Sequence, residues 1–192
     1  MNRIVIGITG ATGVIYGIRI LEILRGDPSI ETHLILSRPA MQTLAYESTL
    51  KPADLYKIAD FHYSNEDIGA AIASGSFRVS GMIIAPCSIK TMSAISHSMC
   101  DNLITRAADV VLKEKKRLVL MVRETPLHAG HLENMKQLSL LGGIIAPPVP
   151  AFYSRPQSID DLVNHTVGRV LDLFDIEHQL IKRWKDPSSS QT

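Results

Sequence analysis

The alternation of short apolar runs with helical patterns is the feature that most restricts the fold of this chain. Five runs have the length and composition of buried strands, at residues 4–9, 32–37, 81–86, 118–122 and 143–146. Between the first two runs, Val14, Ile18 and Leu21 share one helical face. Because strands that alternate with helices pair in parallel, the sequence predicts an α/β fold with a parallel sheet covered by such helices.

Two further segments have the apolar stripe of a packed helix. Residues 101–115 bring together Leu103, Ala107, Val110 and Val111. Ser158 is the expected N-cap of a last helix. The stripe of that helix contains Ile159, Leu162, Val163, Val170, Leu171 and Phe174.

Length and composition predict one soluble domain. A chain of 192 residues fits a single domain, which we place at residues 1–184, followed by a frayed tail at 185–192. The net charge of +1 gives no reason to expect a nucleic acid partner.

The same sequence predicts a cytoplasmic protein. The chain enters a strand too early for a signal peptide, and Cys87 and Cys100 are too few for a disulfide framework. No apolar run approaches the roughly 20 residues that span a bilayer. We therefore expect no contact with a membrane.

Hydroxyl groups, backbone amides and cations follow four of the predicted strands. Open parallel sheets bind ligands outside the carboxyl ends of their strands, so these groups are expected to meet at one edge. They suit a phosphorylated ligand, because they supply hydrogen-bond donors and positive charge. The residues are Thr9 to Thr12, Ser37 and Arg38, Cys87 to Thr91, and Arg123 to Pro126.

The opening turn GITGATG leaves the ligand undecided. It matches neither the dinucleotide fingerprint GxGxxG nor the P-loop, and the structural alternative is a tight turn without a ligand, which the polar groups after the other strands disfavour. Ser37 and Arg38 stand where a dinucleotide site needs an acidic residue, which disfavours NAD. NADP stays open, since Arg38 could meet a 2′-phosphate, but the chain has no Tyr-x-x-x-Lys pair of the short-chain reductases.

Several candidate groups also have a structural explanation. Cys87 ends a buried strand, which favours a packing role, and Ser88 is a natural helix cap. The charged face at Arg106 and Lys113 is typical of a solvated helix. No spacing of histidine or cysteine suits a metal, so we expect no metal site.

Five ordered motifs together resemble the UbiX-type flavin prenyltransferases. They are GITGATGVIYG, PCSIKT, DNLITRAADVVLKE, VRETPL and PPVPAFYSRPQS, and the resemblance runs from about residue 3 to Trp184. It implies a Rossmann-like, flavodoxin-type three-layer α/β/α fold, an FMN site and a homo-oligomer, a dodecamer with sites at subunit interfaces. The implied enzyme joins the dimethylallyl group of dimethylallyl monophosphate to N5 of reduced FMN and closes a ring at C6. The prenylated FMN serves a UbiD-type decarboxylase, in ubiquinone biosynthesis or in phenolic acid breakdown.

The resemblance also assigns roles to individual residues. Those implied to bind FMN are Gly10, Ala11, Thr12, Ser37, Ser88, Ile89, Lys90, Thr91 and Arg123. Those implied to bind the prenyl phosphate are Thr12, Arg106, Lys113, Glu124, Tyr153 and Arg169. Glu47, Glu124 and Lys113 are the implied catalytic residues. Family members often have serine where this chain has Thr12, which keeps the hydroxyl donor and adds a methyl group.

Two rival functions share the FMN site. FMN-dependent cysteine decarboxylases resemble the chain at the flavin edge, but they use a catalytic histidine and an Asn-rich motif where this chain has PCSIKT. The other rival is an accessory subunit that binds FMN for an aromatic acid decarboxylase without chemistry of its own.

Overall fold

Six parallel strands form one sheet in the order β3-β2-β1-β4-β5-β6 in the computed structural model, which describes residues 2–181. The strands are β1 Asn2–Ile8, β2 Ile30–Leu36, β3 Phe61–Ser64, β4 Gly81–Cys87, β5 Arg117–Val122 and β6 Gly143–Ile145. The five predicted strands are confirmed with ends that differ by no more than two residues. Strand β3 was not predicted.

Seven α-helices accompany these strands within residues 2–181. They are α1 Val14–Leu24, α2 Arg38–Glu47, α3 Pro52–Ile58, α4 Ile89–Ser96, α5 Leu103–Lys113, α6 Ala129–Leu140 and α7 Ile159–Asp172. Apart from the edge strand β3, the sheet has the strand order of flavodoxin-like folds. The predicted fold class is therefore confirmed.

The connecting helices bury their predicted faces against the sheet. Helix α1 packs on β1, β2 and β4 through the buried residues Val14, Ile18 and Leu21. Helix α5 packs on β4 and β5, and Leu103, Ala107, Val110 and Val111 are all buried. Right-handed crossovers that run toward opposite edges of a sheet place their helices on opposite faces, so α1 and α5 lie on different sides.

A close approach between α1 and the sheet depends on Gly17. A Cβ atom at this position would lie 2.3 Å from the carbonyl oxygen of Ala85 and 2.7 Å from Cδ1 of Ile8. Because backbone cannot yield as a flexible side chain does, Gly17→Ala is expected to lower the free energy of unfolding by about 1–3 kcal/mol. Urea denaturation measures the change.

Gly69→Ala is the matched control, since its added Cβ meets no atom closer than 3.6 Å. Equal unfolding free energies for the two variants would show that α1 tolerates a wider separation from the sheet.

The described chain divides into two compact units. The first runs to Pro147 and contains the sheet, and the second begins at Pro148 and contains α7. The single domain over residues 1–184 stays a prediction, and the predicted tail at 185–192 lies outside the described residues.

In the second unit, Ser158 caps α7 as predicted. Its hydroxyl accepts a hydrogen bond from the Asp161 amide at 3.1 Å, and the Asp161 carboxylate accepts one from the Ser158 amide at 3.0 Å. The predicted stripe is wrong at its two ends. Ile159, the first residue of the helix, is 79% exposed, and Phe174 lies two residues beyond Asp172, where the helix ends.

Candidate functional site

A groove of about 580 Å³ opens at the carboxyl edge of the sheet. It lies between the loops that follow β1 and β4, where the strand order changes direction, and we call it the switch-point groove. Such crevices are the usual ligand sites of open α/β sheets. Its lining residues are Thr9, Gly10, Ser37, Arg38, Pro39, Asn65, Glu66, Ser88, Lys90, Thr91, Ala94, Asp101, Asn102, Ile104 and Thr105.

Thr9 joins the two central strands at the floor of this groove. Its side chain is 1% exposed, its hydroxyl donates to the carbonyl of Pro86 at 2.7 Å, and the same oxygen accepts from the Ser88 amide at 2.8 Å. The hydroxyl therefore satisfies one donor and one acceptor of the β4 end. Sequence reasoning placed Thr9 at the edge but gave it no role.

Three helices begin at the groove. Ser37 caps α2 by accepting from the Ala40 amide at 3.1 Å, and Ser88 caps α4 by accepting from the Thr91 amide at 3.3 Å. Asn102 caps α5. Helix N-termini carry partial positive charge, and together with Arg38 and Lys90 they supply donors for an anionic group. The carboxylates of Glu66 and Asp101 line the same groove, so the anion site belongs at the helix N-termini.

Asn65 is a groove residue that the sequence did not reveal. It follows β3, and its backbone carbonyl and side-chain Oδ1 accept hydrogen bonds from the amides of Leu103 and Ile104, at 2.8 and 3.1 Å. These two hydrogen bonds hold the start of α5 beside the groove. The available signal was weak: the alternation of Phe61 and Tyr63 with polar neighbours over four residues.

Glu47 holds the opening turn from a distance of 34 residues in sequence. Its Oε2 accepts hydrogen bonds from the amides of Gly13 at 2.9 Å and Val14 at 3.0 Å, and Oε1 lies 3.2 Å from the Gly13 amide. Gly13 has a φ of 97°, a conformation that glycine adopts most readily. The carboxylate therefore caps α1 and fixes the turn that contains Ala11 and Thr12.

Arg123 and Glu124 follow β5 at the same edge. The Arg123 amide donates to the Cys87 carbonyl at 3.1 Å, which places this turn beside the end of β4. Both side chains are exposed, and within residues 2–181 no ion pair joins them. Glu124 Oε1 accepts from the Thr125 amide at 3.0 Å.

Cys87, at the end of β4, has the environment of a packing residue. Its side chain is 0% exposed, and burial raises the pKa of its thiol. A thiol that stays protonated is a poor nucleophile. The structure therefore supports the structural interpretation of Cys87.

Lys113 and Arg106 do not line the switch-point groove. Arg106 donates to the Ala73 carbonyl at 3.2 Å and pairs with Asp109 at 3.1 Å. Lys113 ends α5 and pairs with Glu114. The groove reaches α5 at Thr105, and a helix rises about 1.5 Å per residue, so Lys113 lies roughly 12 Å further along the axis.

The two remaining predicted site residues belong to the second unit. Tyr153 lies in a short 3₁₀ turn, Phe152–Ser154, and its hydroxyl is hydrogen-bonded to Nε2 of His165 at 2.9 Å. Arg169 lies on α7, and its Nη1 pairs with Asp172 Oδ2 at 2.7 Å.

The groove fits a flavin mononucleotide by the chemistry of its donors. The hydroxyls of Ser37, Ser88 and Thr91 and the cations Arg38 and Lys90 suit a phosphate and polyol chain. Within residues 2–181, no cluster of three or more His, Cys, Asp or Glu side chains is arranged for a metal ion. None of the described helices combines the length and apolar character that a membrane crossing requires.

Comparison with known proteins identifies the family. The sequence profile of the flavoprotein family matches residues 1–171. Flavin prenyltransferase UbiX of Salmonella typhimurium is 54% identical over 187 residues, which cover 96% of this chain and 99% of the relative. The chain belongs to the UbiX flavin prenyltransferase family. The predicted family membership is thereby confirmed.

Two solved structures of this family are similar over nearly the whole chain. AnUbiX (PadA1), crystallised in complex with FMN and dimethylallyl pyrophosphate, has a TM-score of 0.94 and 48% identity, covering 96% of this chain and 98% of that one. A dodecameric FMN-dependent Ubix-like decarboxylase from Escherichia coli O157:H7 has a TM-score of 0.94 and 47% identity, covering 96% and 100%.

Proposed function

We propose that this chain is a prenyltransferase that joins the dimethylallyl group of dimethylallyl monophosphate to reduced FMN, first at N5 and then at C6. The observation that carries the proposal is the donor-lined switch-point groove, in a chain 54% identical over nearly its full length to a flavin prenyltransferase. The product is prenylated FMN for a UbiD-type decarboxylase. A cytoplasmic location and a dodecameric assembly belong to the same proposal.

Five of the nine residues proposed to hold FMN line the groove, namely Gly10, Ser37, Ser88, Lys90 and Thr91. Ser37 and the segment from Ser88 to Thr91 begin α2 and α4, and they supply hydroxyl groups and backbone amides. The turn with Gly10, Ala11 and Thr12 and the side chain of Arg123 complete the set. When bound and reduced, the flavin supplies the nucleophilic N5 and C6 atoms.

The protein groups have a separate task at the prenyl phosphate. Breaking the allylic C–O bond leaves charge on the departing phosphate, which donors and cations stabilise. We assign this task to Lys113, Tyr153 and Arg169, with Thr12 and Arg106 as further contacts. Glu124 is proposed to move the proton, as a general acid toward phosphate or a base toward the acceptor.

The position of Lys113 favours a site shared between copies of the chain. Within one chain it lies roughly 12 Å along α5 from the groove, which its side chain does not span while paired with Glu114. A neighbouring copy can bring this cation to the groove. The related protein from Escherichia coli O157:H7 is described as dodecameric, which supports an assembly of this kind.

The proposed reaction is tested by anaerobic incubation of the purified protein with reduced FMN and dimethylallyl monophosphate. Mass spectrometry of the released flavin is expected to show the addition of one prenyl unit. A parallel reaction with dimethylallyl pyrophosphate identifies the preferred donor, and a reaction without donor is the control. Unmodified flavin that still binds the protein would contradict transfer and favour the accessory subunit, and decarboxylation of a cysteine peptide would favour the other rival.

A further inference from the structure

A buried histidine contacts one of the residues proposed to bind the prenyl phosphate. His165 lies on α7, is 8% exposed, and its Nε2 is 2.9 Å from the hydroxyl of Tyr153. The two rings meet edge-on, with centroids 5.4 Å apart and planes at 84°. Arg169 follows one helical turn later. Sequence reasoning gave His165 no role.

The surroundings of His165 favour the neutral imidazole. Burial, and secondarily the positive charge of Arg169, lower its pKa. The other charged groups nearby are Arg155 and Asp161, which line a cavity of about 320 Å³ together with His165. A neutral imidazole has one N–H group, so Nε2 either donates to the phenol oxygen or accepts from the phenol hydroxyl.

The two arrangements differ in what Tyr153 can offer a ligand. If Nε2 accepts the phenol proton, the Tyr153 oxygen can offer a ligand only its lone pairs. If Nε2–H donates to the phenol oxygen, the O–H group can donate elsewhere. Phosphate oxygens of an ionised monoester are acceptors, so only the second arrangement complements them.

We infer that His165 is a positioning residue for substrate binding: its Nε2–H donates to the Tyr153 hydroxyl oxygen and directs the phenol O–H toward the phosphate of the prenyl donor. The inference rests on the proposed role of Tyr153 in that function. His165 itself does not touch the substrate.

The test is a double-mutant cycle with a direct binding measurement. Calorimetry gives the Kd of dimethylallyl monophosphate for the full chain loaded with oxidised FMN, which lacks the nucleophilic reduced N5. His165→Met removes the donor and keeps an unbranched side chain that fills irregular space. Loss of one hydrogen bond is expected to raise Kd about threefold to tenfold, and His165→Gln, which keeps an N–H donor, is expected to restore most of the affinity.

The second side of the cycle uses Tyr153→Phe. In that background His165→Met is expected to leave Kd unchanged, because the hydroxyl that it orients is gone. In turnover assays with reduced FMN, His165→Met is expected to raise KM more than it lowers kcat. If the methionine variant does not fold, His165→Leu takes its place.

Each contrary outcome has a distinct meaning. Equal increases in Kd with and without the Tyr153 hydroxyl would make His165 a packing residue and overturn the inference. An unchanged Kd in Tyr153→Phe would overturn it by removing Tyr153 from the phosphate site, while prenyl transfer itself persists. Absence of prenyl transfer by the wild-type chain would instead reject the proposed function.

Discussion

Glu124→Gln is expected to slow prenyl transfer by about 10²- to 10⁴-fold, the usual contribution of a general acid or base, while FMN still binds. The turn that holds Glu124 is fixed beside the end of β4 by the hydrogen bond from the Arg123 amide to the Cys87 carbonyl. A glutamine keeps the size and a hydrogen-bonding oxygen, but it cannot give or take the proton. Anaerobic single-turnover kinetics measure the rate, and a flavin fluorescence titration measures FMN binding.

Glu133→Gln is the control for this substitution. Glu133 is an exposed carboxylate on α6 that pairs with Lys136 at 3.3 Å, and its loss is expected to leave the rate unchanged. A Glu124→Gln enzyme with the wild-type single-turnover rate would remove Glu124 from the mechanism.

Replacing Glu47 is expected to loosen the opening turn. Glu47→Ala removes the carboxylate that accepts hydrogen bonds from the Gly13 and Val14 amides. We expect the free energy of unfolding to fall by about 1–2 kcal/mol, as for loss of a helix cap, and FMN affinity to fall about tenfold, which corresponds to the same energy. Urea denaturation and flavin titration measure the two effects.

Glu47→Gln separates capping from proton transfer. Its amide oxygen can still accept from the turn, so FMN binding is expected to recover in large part. If Glu47 also moves a proton, the Gln and Ala variants share the same slow single-turnover rate. Glu22→Gln is the control, because Glu22 is an α1 carboxylate that pairs with Arg19. A Glu47→Ala protein with unchanged stability and flavin affinity would contradict the capping role.

The sequence predicted the five strands that form short apolar runs, four of which are almost entirely buried. All seven residues of β4 are buried, and a continuous apolar run of this kind is a strong signal. Strand β3 has four residues, three of them exposed, and among the described strands it pairs only with β2. Its pairing depends on backbone hydrogen bonds, which the identity of Phe61 or Ser64 does not encode. Strand β3 was therefore missed because it is exposed and half polar, whereas β6, at the other edge of the sheet, was predicted from its apolar residues.

The sequence likewise predicted those site residues that follow a recognised strand. Ser37 and Ser88 were predicted at the ligand edge because each follows a recognised strand, and both line the groove. Asn65 was missed because its strand was missed. The bonds from Gly13 and Val14 to Glu47 depend on how α1 and α2 pack together, and no periodicity in one sequence records such a contact. The roles of Lys113, Tyr153 and Arg169 stay predictions.

The double hydrogen bond of Thr9 has a consequence for redesign of the pocket. Valine has the shape of threonine, but at this position it would leave the Ser88 amide without its partner in the interior, at a cost of about 1–3 kcal/mol. The Pro86 carbonyl would keep the hydrogen bond from the backbone amide of residue 9, at 3.2 Å, and lose the one from the hydroxyl. We therefore expect substitution of Thr9, at the floor of the switch-point groove, to destabilise the fold. Variants intended to admit bulkier flavin analogues should be sought on the opposite side, at the exposed Glu66 that follows the short edge strand β3.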